Sequence, residues 1–245
     1  MGNLNVSILD TPSGKYLVYS SADGMGRILL TEGIHEKPVI EASRLILSAS
    51  IGTSVLDLGA NIGSYTIPLA KRFPGLNFFC FEIQRNVFYQ LCGNIFLNGL
   101  MNVRAFNKGV SSTSGEIEIP EIDYSKCWNV GGYSIDQTAL SADRVDFPSE
   151  SIIGSVPAEV STLDSFETSI KNIALIKIDV EGHEIEVLKG ALNIIEANGF
   201  PPIIFECWPF DWFEEKKTEI FEYFNKIGYT NISPDIGSYN YLAQS

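Results

Sequence analysis

Ser54-Val-Leu-Asp-Leu-Gly-Ala-Asn-Ile-Gly-Ser-Tyr-Thr66 runs from an apolar segment into a Gly-rich turn just where helical spacing begins. Val55, Leu56 and Leu58 read as a buried parallel strand, and Gly59 and Gly63 let the backbone turn tightly and approach a ligand with no Cβ in the way. Asp57 stands near the strand's carboxyl end. In an open α/β sheet, ligands bind outside the carboxyl ends of the strands, beside the first strand-to-helix turn. The stretch therefore marks a nucleotide-sized pocket.

The turn chemistry narrows the ligand. A dinucleotide fold calls for G-x-G-x-x-G and a phosphate-binding loop for G-x-x-x-x-G-K-S/T, and neither pattern is present. The turn is D-x-G-A-N-x-G, and Glu82 closes the next strand, Asn77-Phe-Phe-Cys-Phe-Glu82. A carboxylate at that place can accept the hydroxyls of a ribose. A ribose acceptor without a phosphate signature suits S-adenosylmethionine better than NAD or ATP. An NAD-dependent oxidoreductase on a similar sheet is the weaker reading on these residues.

Working outward, strand-like and helix-like segments alternate. A helix is expected over Ser64–Arg72, a strand over Asn77–Glu82, a helix over Arg85–Leu97 and a strand over Val103–Val110. After residues 111–160 come a strand over Ala174–Val180, a helix over Glu184–Ala197, a strand over Pro202–Glu206 and a helix over Glu214–Ile227. Tyr229–Ser233 and Tyr239–Leu242 form a terminal antiparallel pair. Such alternation means βαβ units. The expected fold is α/β, a doubly wound, mostly parallel sheet of seven strands in one domain over residues 1–245.

Two segments stand outside the alternation. Residues 1–50 read as an N-terminal cap, a hairpin turning at Pro12-Ser-Gly14 and a helix through Arg27–Leu30, followed by a helix from Pro38 to Ala49. Residues 111–160 read as a β-rich insert after strand three, with an edge hairpin at Gly115–Pro120 and a polar loop. The insert holds nine acidic and two basic residues, a balance of −7 within a chain total of −13. Long irregular segments in compact domains tend to be binding loops, and Tyr124, Trp128 and Tyr133 would give this one a surface that stacks on a ligand.

Composition bounds the partners. Seventeen basic residues against thirty acidic ones repel polyanions, so nucleic acid is not an expected partner. No apolar run approaches a membrane span, and no basic-then-apolar leader is seen, so a soluble, cytoplasmic protein is expected. Cys80, Cys92, Cys127 and Cys207 show no C-x-x-C spacing and read as reduced thiols. A homodimer is compatible with the sequence.

A second motif, Ile176-Lys-Ile-Asp-Val-Glu-Gly-His-Glu184, gathers Asp179, Glu181, His183 and Glu184 where strand four reaches the pocket mouth, and Glu206 would join them from strand five. With Leu56–Thr66, the acidic end of strand two, Thr162-Leu-Asp-Ser165 and Val187-Leu-Lys-Gly-Ala191, this motif resembles the FkbM-type S-adenosylmethionine-dependent methyltransferases over roughly residues 30–210. The resemblance implies the Rossmann-like class I methyltransferase fold and methyl transfer to a hydroxyl of a small acceptor, commonly on a sugar or a polyketide.

It further implies that Asp57, Gly59, Asn61 and Gly63 wrap the methionine part of the cofactor, with Ala60, Tyr65 and Thr66 also in its binding site. Glu82 would hold the ribose, Ile83 would also meet the cofactor, and Asn107 to Val110, Gly109 among them, would border the adenine. Asp179 would face the cofactor's amino group or the incoming hydroxyl, with Glu181 beside it.

An alcohol is a poor nucleophile at neutral pH, so a general base is expected, either His183 or Asp179. Glu184 reads as an N-terminal helix acid favoured by the dipole. A divalent cation on Asp179, Glu181 and Glu206 is the lesser reading of that cluster, and no metal is expected. A cofactor-binding module without catalysis, or a methyltransferase for a protein or lipid-linked acceptor, is the competing function.

Overall fold

A computed structural model describes residues 5–19, 24–127, 129, 131–135 and 151–245. The first described elements are an antiparallel hairpin, β1 (Val6–Asp10) and β2 (Lys15–Tyr19), then α1 (Gly24–Glu32) and α2 (Lys37–Ala49). The main alternation follows: β3 (Ser54–Leu58), α3 (Thr66–Arg72), β4 (Asn77–Phe81), α4 (Arg85–Leu97) and β5 (Val103–Phe106). β6 (Gly109–Val110) leads into the insert, which contributes β7 (Gly115–Ile122) and most of β8 (Ile152–Ser161). The chain continues as β9 (Ile173–Ile178), α5 (Glu184–Lys189), α6 (Leu192–Ala197), β10 (Ile203–Glu206), α7 (Glu214–Ile227), β11 (Asn231–Ile232) and β12 (Asn240–Gln244).

Seven strands form one sheet in the order β11-β12-β10-β9-β3-β4-β5. The strands from β5 to β10 run parallel, and β12 enters antiparallel to both β10 and β11. The architecture is the doubly wound, mostly parallel α/β sheet that the alternation predicts. Because β3 and β9 are paired and parallel, both deliver their carboxyl ends to one crevice.

The period-two alternation of each strand divides the core. Leu56, Leu58, Phe79, Phe81, Ile176, Ile178, Ile203 and Phe205 face one side, where they pack with Val187, Leu188 and Phe224 of α5 and α7. Val55, Phe78, Leu175 and Ile204 face the other, against Val39, Ile40 and Leu47 of α2 and Leu69 of α3. Asp57, Lys177 and Glu206 fall on the alternate positions of that second side. They sit at the carboxyl ends, where the core opens.

The N-terminal hairpin docks on α4. Asn94 Oδ1 accepts from the Leu17 N–H at 2.6 Å, and Asn98 exchanges hydrogen bonds with the Lys15 backbone at 3.0 and 2.7 Å. Edge backbone groups are thus satisfied, and the docking leads the chain through α1 to His35 and Glu36 beside the crevice.

Three local expectations are corrected. The strand expected over Val103–Val110 divides at Asn107-Lys108, and Gly109–Val110 leaves the main sheet to pair with β8 in a second, three-stranded sheet ordered β6-β8-β7. The Gly115–Pro120 hairpin is not local: β7 pairs along its length with Ile152–Ser161, a segment whose Gly154 and Pro157 weaken its strand signal. The insert's Trp128 and residues 136–150 lie outside the described residues.

The third correction concerns the helix expected over Glu184–Ala197, which breaks at Gly190-Ala191. A Cβ at Gly190 would stand 2.0 Å from the Ser111 carbonyl oxygen, so the backbone of the insert's entry runs directly against the break. Gly190→Ala is expected to destabilise the protein by about 2 kcal/mol or more, read from the urea unfolding midpoint.

Candidate active site

Two connected cavities lie at the carboxyl ends of β3, β4, β9 and β10. A narrow one of about 60 Å³ is lined by Glu82, Ile83, Lys108, Gly109, Val110, Tyr133 and His183, among others. A wide one of about 510 Å³ is lined by residues that include His35, Glu36, Asp57, Ala60, Asn61, Tyr65, Lys177, Glu206 and Tyr239. Gly59, Gly131, Asp179 and Glu181 line both, and so mark the junction. The wide cavity falls within the 300–1,000 Å³ usual for small-molecule sites.

The turn after β3 explains its glycines. Gly59 has φ +86°, and a Cβ there would stand 1.7 Å from the Asp179 carbonyl oxygen. Only glycine allows the ends of β3 and β9 to come this close. The turn is closed by its own hydrogen bonds: Gly59 and Ala60 both donate to the Phe81 carbonyl at 2.9 Å, and Gly63 donates to that of Ala60 at 2.9 Å. Asn61 adopts φ 51°, and its Oδ1 accepts from the Ile62 N–H at 2.8 Å.

Glu82 is buried with both oxygens engaged. Oε2 accepts from the Asn61 N–H at 2.9 Å and Oε1 from the Gln84 N–H at 2.8 Å. Burial pushes its pKa up to about 7, against the pull of those two N–H groups. Each oxygen keeps a second lone pair for a ligand hydroxyl. The carboxyl therefore fits a ribose, as its place at the end of β4 suggests.

Lys177 organises the wide cavity. It is 2% exposed, its Nζ lies 2.6 Å from Asp179 Oδ2 and 3.4 Å from Glu36 Oε2, and it stands 5.3 Å above the Tyr65 ring. Asp57 is its register partner across β3 and β9, and accepts from the Thr66 hydroxyl at 2.6 Å. Burial raises Asp57 to about 6, although Lys177 and Thr66 pull it down. Burial alone would lower Lys177, and its carboxylate neighbours hold it well above the ordinary lysine value. The ammonium is charged, as a buried lysine among acids must be.

The loop after β9 carries the remaining acids. Glu181 has φ 55°, a conformation uncommon for a residue with a side chain. It is held by Glu184, whose Oε1 accepts from the Val180 and Gly182 N–H groups at 3.3 and 3.1 Å. Glu184 is 1% exposed, and burial pushes it up to about 7. It opens α5, as its reading as an N-terminal helix acid expects, and from there it also clamps the loop from a buried position. From the insert, the Ser134 hydroxyl donates to the Glu181 carbonyl. A Cβ on Gly131 would overlap the Asn61 amide, so the insert closes tightly over the turn.

Glu206 ends β10 in the wide cavity. Its Oε2 is shut off from solvent and has no hydrogen-bond partner among the described residues. Burial, with Asp179 and Glu181 close by, raises its pKa well above the ordinary glutamate value. Among the described residues, Asp179, Glu181 and Glu206 bring carboxylate oxygens within 4.8 Å of one another, which are the groups that could hold a cation. His35, pushed down by burial, is neutral near pH 7.

Most of the predicted residues meet at these cavities. Gly63 and Thr66 stand behind the lining, the first shaping the turn and the second bonded to Asp57. Asn107 also lies outside it: its amide donates to the Glu82 and Ile83 carbonyls at 2.8 and 3.1 Å, tying down the end of β4. His183 bonds Ser111 Oγ at 3.0 Å and lines the narrow cavity only. Tyr124 packs on Tyr19 at 5.7 Å, and its hydroxyl donates at 3.1 Å to Oε1 of Gln84, which lines the narrow cavity. Sequence reasoning missed Lys177, Ser238 and Tyr239. The signal for Lys177 was a lysine inside an apolar strand; the other two come from a loop before β12 and carry no motif.

The chain is similar to known methyltransferases. The family described as Methyltransferase FkbM domain matches residues 57–230. Methyltransferase sdnD of Sordaria araneosa is 28% identical over 155 residues, covering 56% of this chain and 59% of its own. Hexuronic acid methyltransferase AglP of Haloferax volcanii is 28% identical over 161 residues, covering 64% and 58%. The alignments thus span about three fifths of the length of these two relatives. Among solved structures, a precorrin-6y C5,15-methyltransferase from Geobacter metallireducens aligns with a TM-score of 0.48 at 10% identity, over 86% of this chain and 90% of that one.

The raised carboxyl groups set the pH dependence. Asp57, Glu82 and Glu184, with folded pKa values near 6, 7 and 7, hold protons more tightly than in the unfolded chain. Their contribution is full below the unfolded values and is lost as pH rises through 6 to 7. The ligand-free protein is expected to lose at least about 2 kcal/mol of stability between pH 5.5 and pH 8, measured by urea unfolding at fixed ionic strength.

Proposed function

The chain belongs to the FkbM methyltransferase family, and from that premise we propose that it methylates a hydroxyl of a small polyhydroxylated acceptor, a sugar or a sugar-bearing metabolite. The family is S-adenosylmethionine-dependent. The observation that carries the reading is the junction: a narrow cavity with a ribose-suited carboxyl meets a wide polar one at Gly59, Gly131, Asp179 and Glu181. A donor whose nucleoside occupies the narrow end has its reactive end at those residues. The name of the Haloferax relative, a hexuronic acid methyltransferase, supports a sugar acceptor.

The chain's residues fit the donor. Gly59 lets the ends of β3 and β9 meet at the junction, Glu82 holds the ribose, and Ile83, Gly109 and Val110 flank the base. When bound, S-adenosylmethionine supplies an electrophilic methyl group to a nucleophile. The protein's part is to align an acceptor oxygen, exclude water and take up its proton. Glu181 stands at the junction and takes that proton, while Asp179 beside it is held by Lys177. Glu206 and Tyr239 line the acceptor side, where a hydroxylated molecule finds hydrogen-bond partners. His183 serves the nucleoside side.

No helix among the described residues is long and apolar enough to cross a membrane. The test is transfer from methyl-labelled donor to a panel of glycosides and hydroxylated metabolites. An ether on a hydroxyl survives mild alkali, whereas a methyl ester on a carboxylate is cleaved; label lost to alkali overturns O-methylation of a hydroxyl. On the best acceptor, Glu181→Gln is expected to lower kcat about 10²-fold or more. His183→Ala should leave kcat within about threefold and act on the donor KM, and the reverse pattern would exchange their roles.

A further inference from the structure

The amino-acid end of the donor is a zwitterion, and its carboxylate needs a cationic or N–H partner. The N–H groups of Gly59 through Gly63 are all spent: on the Phe81 carbonyl, Glu82 Oε2, Asn61 Oδ1 and the Ala60 carbonyl. Lys177 is the one lysine or arginine among the described residues lining the wide cavity. Burial keeps His35 neutral there. A lysine ammonium has three donors, and Lys177 directs two toward Asp179 and Glu36, at 2.6 and 3.4 Å.

Resting on the donor reading above, we infer that Lys177 receives the α-carboxylate of the bound donor, while Asp179 and Glu36 face its α-ammonium. The zwitterion lies across an ion-pair network of matching charges already assembled in the protein. Before binding, the lysine ammonium occupies the acids that the donor's ammonium will share. Glu36 comes from the start of α2, so the cap contributes to donor recognition. Its Oε1 is also held by the Asn240 amide at 3.2 Å, which fixes the acid from the β12 side.

The test is calorimetric binding to the full chain, with no acceptor needed. The probes are S-adenosylhomocysteine, its decarboxylated analogue and 5′-methylthioadenosine, which lacks the whole amino-acid end. Wild-type protein is expected to bind the decarboxylated analogue about thirtyfold more weakly than S-adenosylhomocysteine. Lys177→Met should lose a similar factor for S-adenosylhomocysteine, yet change the decarboxylated analogue and 5′-methylthioadenosine by less than about threefold. Lys177→Arg should keep most of the discrimination.

Equal wild-type affinity for the two S-adenosyl probes overturns the assignment, as does a Met variant that weakens all three probes alike. The wild-type comparison stands even if that variant does not fold. If no probe binds the wild-type protein, the donor reading itself falls.

Discussion

A lysine ammonium cannot be taken out of water without compensation, and Lys177 in the middle of the central sheet is almost completely buried. Its charge persists only because three carboxyl groups from separate parts of the chain surround it: Asp57 across the strand pair, Asp179 two residues on, and Glu36 from the cap. Breaking such a pair from one side typically costs about 3–5 kcal/mol, since it strands the other charge. The network therefore requires β3, β9 and the start of α2 to hold one arrangement. The same arrangement shapes the wide cavity.

Strand periodicity turns this requirement into a site. Side chains alternate across a sheet, so a register slip of one residue would exchange the two faces. In the observed register Asp57 stands opposite Lys177, and β10 places Phe205 opposite Ile178, which carries Glu206 level with Asp179. Four ionisable groups then share one face at one end, where the helices no longer cover it. The opposite face is Leu, Ile and Phe, and its packing locks the register.

The fold was legible to a large extent because its signals are local and repeated. Short apolar runs alternate with helical spacing from Ser54 onward, and the strand order follows from parallel connections of one handedness. The donor turn was legible for the same reason, since the glycines and Glu82 lie within one βαβ unit. What escaped notice depends on distant chain. β8 pairs with β7 across a long separation and is weakened by Gly154 and Pro157, so its own residues do not announce it. The break at Gly190 comes from the Ser111 backbone, far away in sequence. Glu184 could be read as a helix N-terminal acid, but nothing local says that it is buried.

The sequence by itself determined the doubly wound sheet, the place of the Gly-rich turn and the acids that follow β4 and β9. These follow from periodicity and from backbone angles that glycine alone adopts easily. Only the tertiary structure decided which of those acids work together. It set His183 on the narrow cavity and Asp179 and Glu181 at the junction, turned Glu184 inward, and made Lys177 the charge around which the wide cavity is built. The physical reason is that burial and pairing are properties of neighbours in space. A carboxyl or an ammonium has its charge, its partners and its role fixed only when strands from distant parts of the chain close around it.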